Sequence, residues 1–442
     1  IRGSVSVESA LDLGGGVFDE AGPVTVAAGQ TVRNGTINMN GSAWTFPGIC
    51  LSAARFVDLT IHGAFALNQS GTLRWSNVSM DGAVTMPIGS RILLEGDQTL
   101  TGEFVGNGGT TTPALLASWS GSATATLAPT CIVRGAGLTF ASTCSSSGNE
   151  LSVINNGLVD GTDTTKPIKF NVNVVGGIGT YSGAVLFDNM TVSNASLSVA
   201  ATPGGAPKFS TSCNNRLSNC TIVSDWPDWG GTAKWNQVTL MGTLTLGNGG
   251  TLLVDGEQTL TGKIVGNASE GSPAYIGGVT GTSPRLIVTP SGRIEGKGLT
   301  IGIPRACGTR PQLQNDGVIE GTNAASPIRL DLLSSVSGTG RYSGAVNFNG
   351  TTFQGATIHA SQTSAGSPRC AGSSASRFKN VTIEGDWVDF SGEVIWDGVV
   401  LNGTLSTTSF VSIRVNGDQT LTGTIDASTS PNASVSVLPY AA

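Results

Sequence analysis

Charge is scarce in this sequence. Asp, Glu, Lys and Arg make up 12% of the 442 residues, His occurs twice, and the net charge is −6. No basic stripe exists to neutralise a phosphate backbone, which excludes nucleic acid as a partner. No run of ~18 apolar residues occurs, so no segment reads as transmembrane. The seven cysteines lack Cys-x-x-Cys spacing and His62 and His359 stand alone, so the ligand sets of a zinc site are missing. Helical periodicity is missing too: no window holds apolar residues at i, i+3, i+4 and i+7. Ile1-Arg2-Gly3-Ser4 opens no signal peptide, so a secreted protein would be a processed form.

Gly is abundant, with 63 residues. These glycines alternate with short Val, Ile, Leu and Thr runs, the pattern of turns between strands. The longer pattern is repetition. Leu94-Glu95-Gly96-Asp97-Gln98-Thr99-Leu100-Thr101-Gly102 returns at Val254–Gly262 and at Val415–Gly423, with offsets of 160 and 161 residues. Trp75, Trp235 and Trp396 keep that register, as do Arg55, Arg216 and Arg377. Asn155-Asn156-Gly157 matches Asn315-Asp316-Gly317, and Tyr181–Val185 matches Tyr342–Val346. The third copy stops early, so the chain holds about 2.75 copies of a ~160-residue repeat. The copies span 1–160, 161–321 and 322–442.

Strand-like runs such as Leu59-Thr60-Ile61 and Leu151-Ser152-Val153-Ile154 recur about every 20 residues, separated by Asn-Gly, Asp-Gly and Gly-Gly turns. Those turns also suit hairpins, but regular spacing and similarity between units favour stacked coils. The expected fold is all-β, a single elongated parallel β-helix. About 20 coils at ~4.8 Å each give a rod on the order of 100 Å.

Ile154-Asn155-Asn156-Gly157-Leu158-Val159-Asp160-Gly161 and Gly292-Arg293-Ile294-Glu295-Gly296 resemble the coils of pectin-lyase-like right-handed β-helices, in particular the haemagglutinin and adhesin-like members. The resemblance spans most of the chain and implies a secreted or surface-displayed β-helix. It implies no activity, because the class holds lyases, hydrolases, adhesins and fibre proteins.

The repeat sorts the cysteines. Cys144 and Cys307 fall in matching loops, Cys213 and Cys370 in a second matching pair, and Cys220 at a core position. Pairings Cys144–Cys213 and Cys307–Cys370 respect the repeat, and disulfides point to an oxidising compartment. Twelve Asn-x-Ser/Thr sequons occur, at Asn34, Asn40, Asn68, Asn77, Asn189, Asn194, Asn219, Asn267, Asn349, Asn380, Asn402 and Asn432. That excess fits a glycosylated surface protein of a eukaryote.

Candidate chemistry is sparse. Asp225-Trp226-Pro227-Asp228-Trp229 sets carboxylates beside aromatics, and Asp386-Trp387-Val388-Asp389-Phe390 repeats it. Such a cluster suits a sugar-stacking surface or a glycosidase pair. A motif that occurs twice along one scaffold reads first as a structural corner, with Trp226, Trp229 and Trp387 as candidate glycan contacts. Glu95/Asp97, Asp255/Glu257 and Asn416/Asp418 flank a turn Gly, but two side chains fall short of the six to eight or so oxygens calcium takes. Thr99-Leu100-Thr101 and Thr243-Leu244-Thr245 are ordinary outward strand faces.

No catalytic, metal or cofactor residue is assigned, and none is expected. The favoured function is an extracellular or cell-surface structural subunit of a fibre, filament or sheath, polymerising head-to-tail through open coil ends or joining other surface proteins. The alternatives are a glycan-binding adhesin module and a polysaccharide-active lyase or hydrolase.

Overall fold

A computed structural model describes residues 4–48, 50–119, 121–141, 151–304, 307–333, 335–370, 375–428 and 431–440. The chain forms two compact units, Ile1–Arg216 and Leu217–Ala442, divided within the second sequence copy. Each is a parallel β-solenoid, and together they hold about 19 turns among the described residues.

The coil is plainest in the first unit, where each turn carries three strands. Ala83–Pro87, Glu103–Asn107, Ile132–Ala136, Leu158–Gly161 and Thr180–Gly183 stack in register as one sheet. Arg91–Leu94, Ala114–Ser118, Leu138–Ala141, Ile168–Asn171 and Val185–Phe187 form the second. Gln98–Leu100, Ala123–Leu127, Leu151–Asn155 and Val174–Gly177 form the third. The second unit repeats the scheme, for instance through Thr243–Leu246, Lys263–Asn267, Arg293–Lys297 and Val318–Gly321. Every named strand pairing is parallel. The Asn-Gly and Asp-Gly turns therefore carry the chain round corners and close no hairpins. Among the described residues antiparallel contact appears in isolated bridges such as Thr202↔Gly205 and Thr363↔Gly366, in equivalent loops.

Side chains alternate along each strand, as the period of two requires. In Ala123–Leu127 the Ala123, Ala125 and Leu127 side chains are buried, while Thr124 and Thr126 face outward. Identical register from coil to coil stacks like on like. Phe140, Phe170, Phe187 and Phe209 form an interior ladder, with successive centroids 4.6, 5.7 and 5.2 Å apart. Each buried ring contributes about 1.5–3 kcal/mol through burial, with a smaller gain from ring contact.

That ladder corrects one cysteine assignment. Ile301, Leu330, Phe348 and Cys370 lie 160 or 161 residues beyond the four phenylalanines, and Phe348↔Cys370 is the ladder pair. Cys370 is thus the counterpart of Phe209, an inward-facing core residue 3% exposed, and its thiol is free. The Cys307–Cys370 pairing does not form. Cys307 and Cys213 are each disulfide-bonded, and so is Cys50, which has no cysteine at its repeat equivalents. Cys144 lies outside the described residues. Cys220 is buried, as its phase implies.

Among the described residues the only helical element is a 3₁₀ turn at Cys50–Ser52. No helix is long and apolar enough to cross a membrane.

Candidate functional site

The strongest sequence signal, the repeated Asp/Glu-Gln-Thr-Leu-Thr-Gly block, serves a left-handed corner one coil earlier. Asn34, Asp58 and Asn77 occupy that corner in successive turns with φ of 58°, 51° and 51°. One period on stand Asn194, Asn219 and Gln237 (52°, 52°, 55°), and one further Gly355, Asn380 and Gly398 (61°, 52°, 67°). Left-handed backbone is costly for residues other than Gly, least so for Asn and Asp, which accounts for the residue types chosen. The turn takes the next N–H out of the inter-coil ladder, and a Gln side chain from the following coil meets it. Val78 N donates to Gln98 Oε1 at 3.3 Å, Val238 N to Gln258 Oε1 at 2.9 Å, and Val399 N to Gln419 Oε1 at 2.7 Å. In the second copy Gln258 Nε2 also donates to Val238 O at 2.5 Å, so the side-chain amide pairs with both peptide groups of Val238. Gln98 and Gln258 are 7% and 4% exposed.

The Asn-x-Gly motif does similar work inside the stack. Asn155 and Asn315 are fully buried, and each accepts from the N–H two residues on, Gly157 at 3.0 Å and Gly317 at 3.1 Å. Gly157 admits no side chain, because a Cβ there would lie 2.3 Å from Cys131 O.

The corner also writes sequons. Its residue sequence is a left-handed Asn, an inward apolar residue and an outward Ser or Thr, as in Asn77-Val78-Ser79, Asn219-Cys220-Thr221 and Asn380-Val381-Thr382. Four of the twelve sequon Asn side chains spend Nδ2 on nearby acceptors. Asn34 donates to Asp12 Oδ1 at 3.1 Å, Asn77 to Asp58 Oδ1 at 2.7 Å, Asn68 to Gln69 O at 3.2 Å, and Asn40 to Glu20 O. Backbone geometry thus accounts for part of the excess without a glycan. Asn219→Ala is expected to cost about 1–2 kcal/mol through left-handed strain. Asn219→Gly should change the urea midpoint little. Equal loss in both variants would show that the side chain matters more than the corner.

The acidic–aromatic pair resolves as core. Trp226 and Trp229 are 0% exposed and Trp387 is 1% exposed. Trp229 packs edge-on against Trp226 and Trp235 at 4.7 and 5.9 Å. Trp387 contacts Phe348 and Phe390, and its indole N–H donates to Pro368 O at 2.8 Å. No face of these three rings is open to a sugar, so they are not glycan contacts. Alternation places them inward, which adjacency to Asp in the sequence conceals. The carboxylates serve neighbouring coils: Asp225 accepts from Thr243 N at 2.7 Å and Asp386 from Thr404 N at 3.0 Å. Asp389 takes the Arg369 guanidinium and the Thr408 hydroxyl.

Other acids do likewise. Glu95 sits between Arg55, 2.5 Å away, and Arg74. Arg74 also lies over the Trp119 ring at 3.8 Å. Burial holds the Arg74 guanidinium below its ordinary value, offset by Glu95. A carboxylate between two guanidiniums is no calcium ligand, and the described residues gather no group of three metal-binding side chains. His62 Nδ1 meets Asp81 Oδ2 at 2.5 Å, and His359 Nδ1 lies 3.5 Å from Glu384.

Shallow grooves run along the surface of the described residues. One of about 470 Å³ lies along Asp58, Thr60, Asn77, Ser79, Asp97 and Thr101, and a second of about 380 Å³ adjoins it through Thr60, Ser79 and Thr101. The first is walled mainly by Asp, Asn, Ser and Thr side chains, and Met80 adds an apolar wall to the second. Comparison with protein-family models and with curated proteins finds no match to this chain.

Burial pushes the free thiols of Cys131 and Cys370 up to about 12. An unfolded thiol titrates near ~8.5. Below that value both states hold the proton and the fold keeps its full stability. Above it the unfolded chain releases the proton first, so stability falls by up to about 1.4 kcal/mol per thiol per pH unit until the folded value is reached. Urea midpoints should therefore drop between pH 8.5 and 11 by less in a Cys131→Ser/Cys370→Ala variant, measured relative to each protein's value at pH 7. An identical slope in the variant would contradict this.

Proposed function

We propose that this chain is an extracellular structural protein of the pectin-lyase-like right-handed β-helix class, a subunit of a surface fibre, filament or sheath, without enzymatic activity. The observation that carries the reading is where the repeated residues go. Gln98, Gln258 and Gln419, the corner residues Asn34, Asp58 and Asn77, Asp225, Asp386 and the Trp229–Trp235 pair all bind one coil to the next. Sequence kept from copy to copy is therefore sequence kept for stacking, the property a scaffold needs.

Disulfide-bonded Cys50, Cys213 and Cys307 support an oxidising, extracellular setting. Assembly is proposed to run head-to-tail, since parallel register already lets one copy of the sequence stack on similar coils of the next. Sedimentation velocity across a hundredfold or so range of concentration tests this. The weight-average coefficient is expected to climb with concentration, and a single invariant species would contradict it.

A further inference from the structure

Arginine in this chain is mostly a clamp between coils. Arg293 pairs with Glu320 at 3.0 Å, Arg310 with Asp331 at 3.3 Å, Arg414 with Glu393 at 2.6 Å, and Arg134 with Glu103. Arg341 departs from that habit. Its backbone is held in the sheet, with N donating to Gly317 O at 2.9 Å. Its exposed side chain has no ion pair and no side-chain hydrogen bond among the described residues. The coil does not require it either: Arg341↔Val318 repeats the pairing Thr180↔Leu158, so the equivalent residue one period earlier is Thr180.

Arg341 borders a groove of about 380 Å³, together with Pro290, Val318, Thr339, Asp316 and His359. His359 follows Arg341 in register on the next turn. The two acids nearby are already engaged. Asp316 accepts from Thr339 N at 2.9 Å through Oδ1 and from Gln314 Nε2 at 2.6 Å through Oδ2. Glu384 Oε2 faces His359 Nδ1 at 3.5 Å. What stays open is a planar fork of N–H donors beside the Thr339 hydroxyl, with apolar Pro290 and Val318 in the walls.

We propose that this groove is a binding site for a compact oxyanion, with Arg341 as its main donor. A guanidinium fork matches two oxygens of a sulfate or phosphate type group in one plane. The anion is a sulfate ester on a saccharide or free inorganic sulfate, and the same titration separates the two. The site is independent of the filament reading.

Calorimetry on the full chain at about 0.15 M sodium chloride, where the Debye length is about 8 Å, would use a sulfated maltotetraose, unsulfated maltotetraose and sodium sulfate. Binding of the sulfated sugar alone assigns an ester ligand, and equal binding of sodium sulfate assigns the free anion. In either case Arg341→Gln should weaken binding about ten-fold or more, the usual worth of a charge-assisted bond. Arg341→Lys should fall between. Lys379→Gln removes the same charge elsewhere on the second unit and should change affinity less than about two-fold, once screened interactions alone are at stake. Unchanged urea midpoints in the Arg341 variants keep folding out of the comparison, since the side chain is exposed. No binding of either sulfated probe, or equal loss in Arg341→Gln and Lys379→Gln, would overturn the proposal.

Discussion

Replacing Trp226 by Ala is expected to lower unfolding stability by about 3–5 kcal/mol, the range for deleting a large buried aromatic. The indole is wholly buried and packs on Trp229, which in turn packs on Trp235. In a solenoid each turn is stabilised chiefly by its neighbours. The loss should therefore appear first in amide exchange at Trp226–Trp229 and at Thr243–Leu246, the strand paired with it. Strands farther along the second unit, such as Ser335–Gly344, should keep their protection longer. If the ring instead served a sugar, Trp226→Ala would leave stability within about 0.5 kcal/mol, as substitutions at exposed positions do.

The second large effect is expected at Gln258. Its amide answers both the N–H and the C=O of Val238 in a buried position. Gln258→Leu fills the same space but leaves two buried peptide groups without partners, each worth about 1–3 kcal/mol. A total of about 2–4 kcal/mol follows, since some relaxation and water access soften the sum. Gln419→Leu makes a useful comparison. That residue is only part-buried, and its Nε2 bonds local carbonyls at Asn416 and Gly417. Its loss should cost about 1 kcal/mol. Equal costs at Gln258 and Gln419 would show that the buried Val238 pairing is not what the repeat preserves.

The architecture was legible because its cause is periodic. A 160-residue echo with strand-like runs and Gly-rich turns leaves few folds that satisfy all copies, and parallel stacking is the one found. The chemistry was harder to read because side-chain direction is set by register, which sequence adjacency hides. Trp226 beside Asp225 suggested a sugar-binding edge, yet successive side chains point to opposite faces and the indole is interior. Cys370 looked like a loop partner for Cys307 until its match to Phe209 placed it in the aromatic ladder.

The corner carries a further sequence signal. Positions 34, 58, 77, 194, 219, 237, 355, 380 and 398 hold only Asn, Asp, Gln or Gly. That restriction marks left-handed backbone, and it would have linked the sequon excess to geometry. The Gln of each Asp-Gln-Thr or Glu-Gln-Thr block could also have been paired with a corner one coil earlier, since Gln98, Gln258 and Gln419 each lie 20 residues past the valine whose N–H they accept. Arg341 has no such counterpart in the repeat, and it differs from the clamping arginines in having no ion pair among the described residues.

Electron cryo-microscopy of the native material, imaged at several concentrations, tests the structural role most directly. The account predicts filaments that lengthen with concentration and whose cross-section shows stacked parallel coils. Discrete, unassociated particles at every concentration would contradict a head-to-tail subunit.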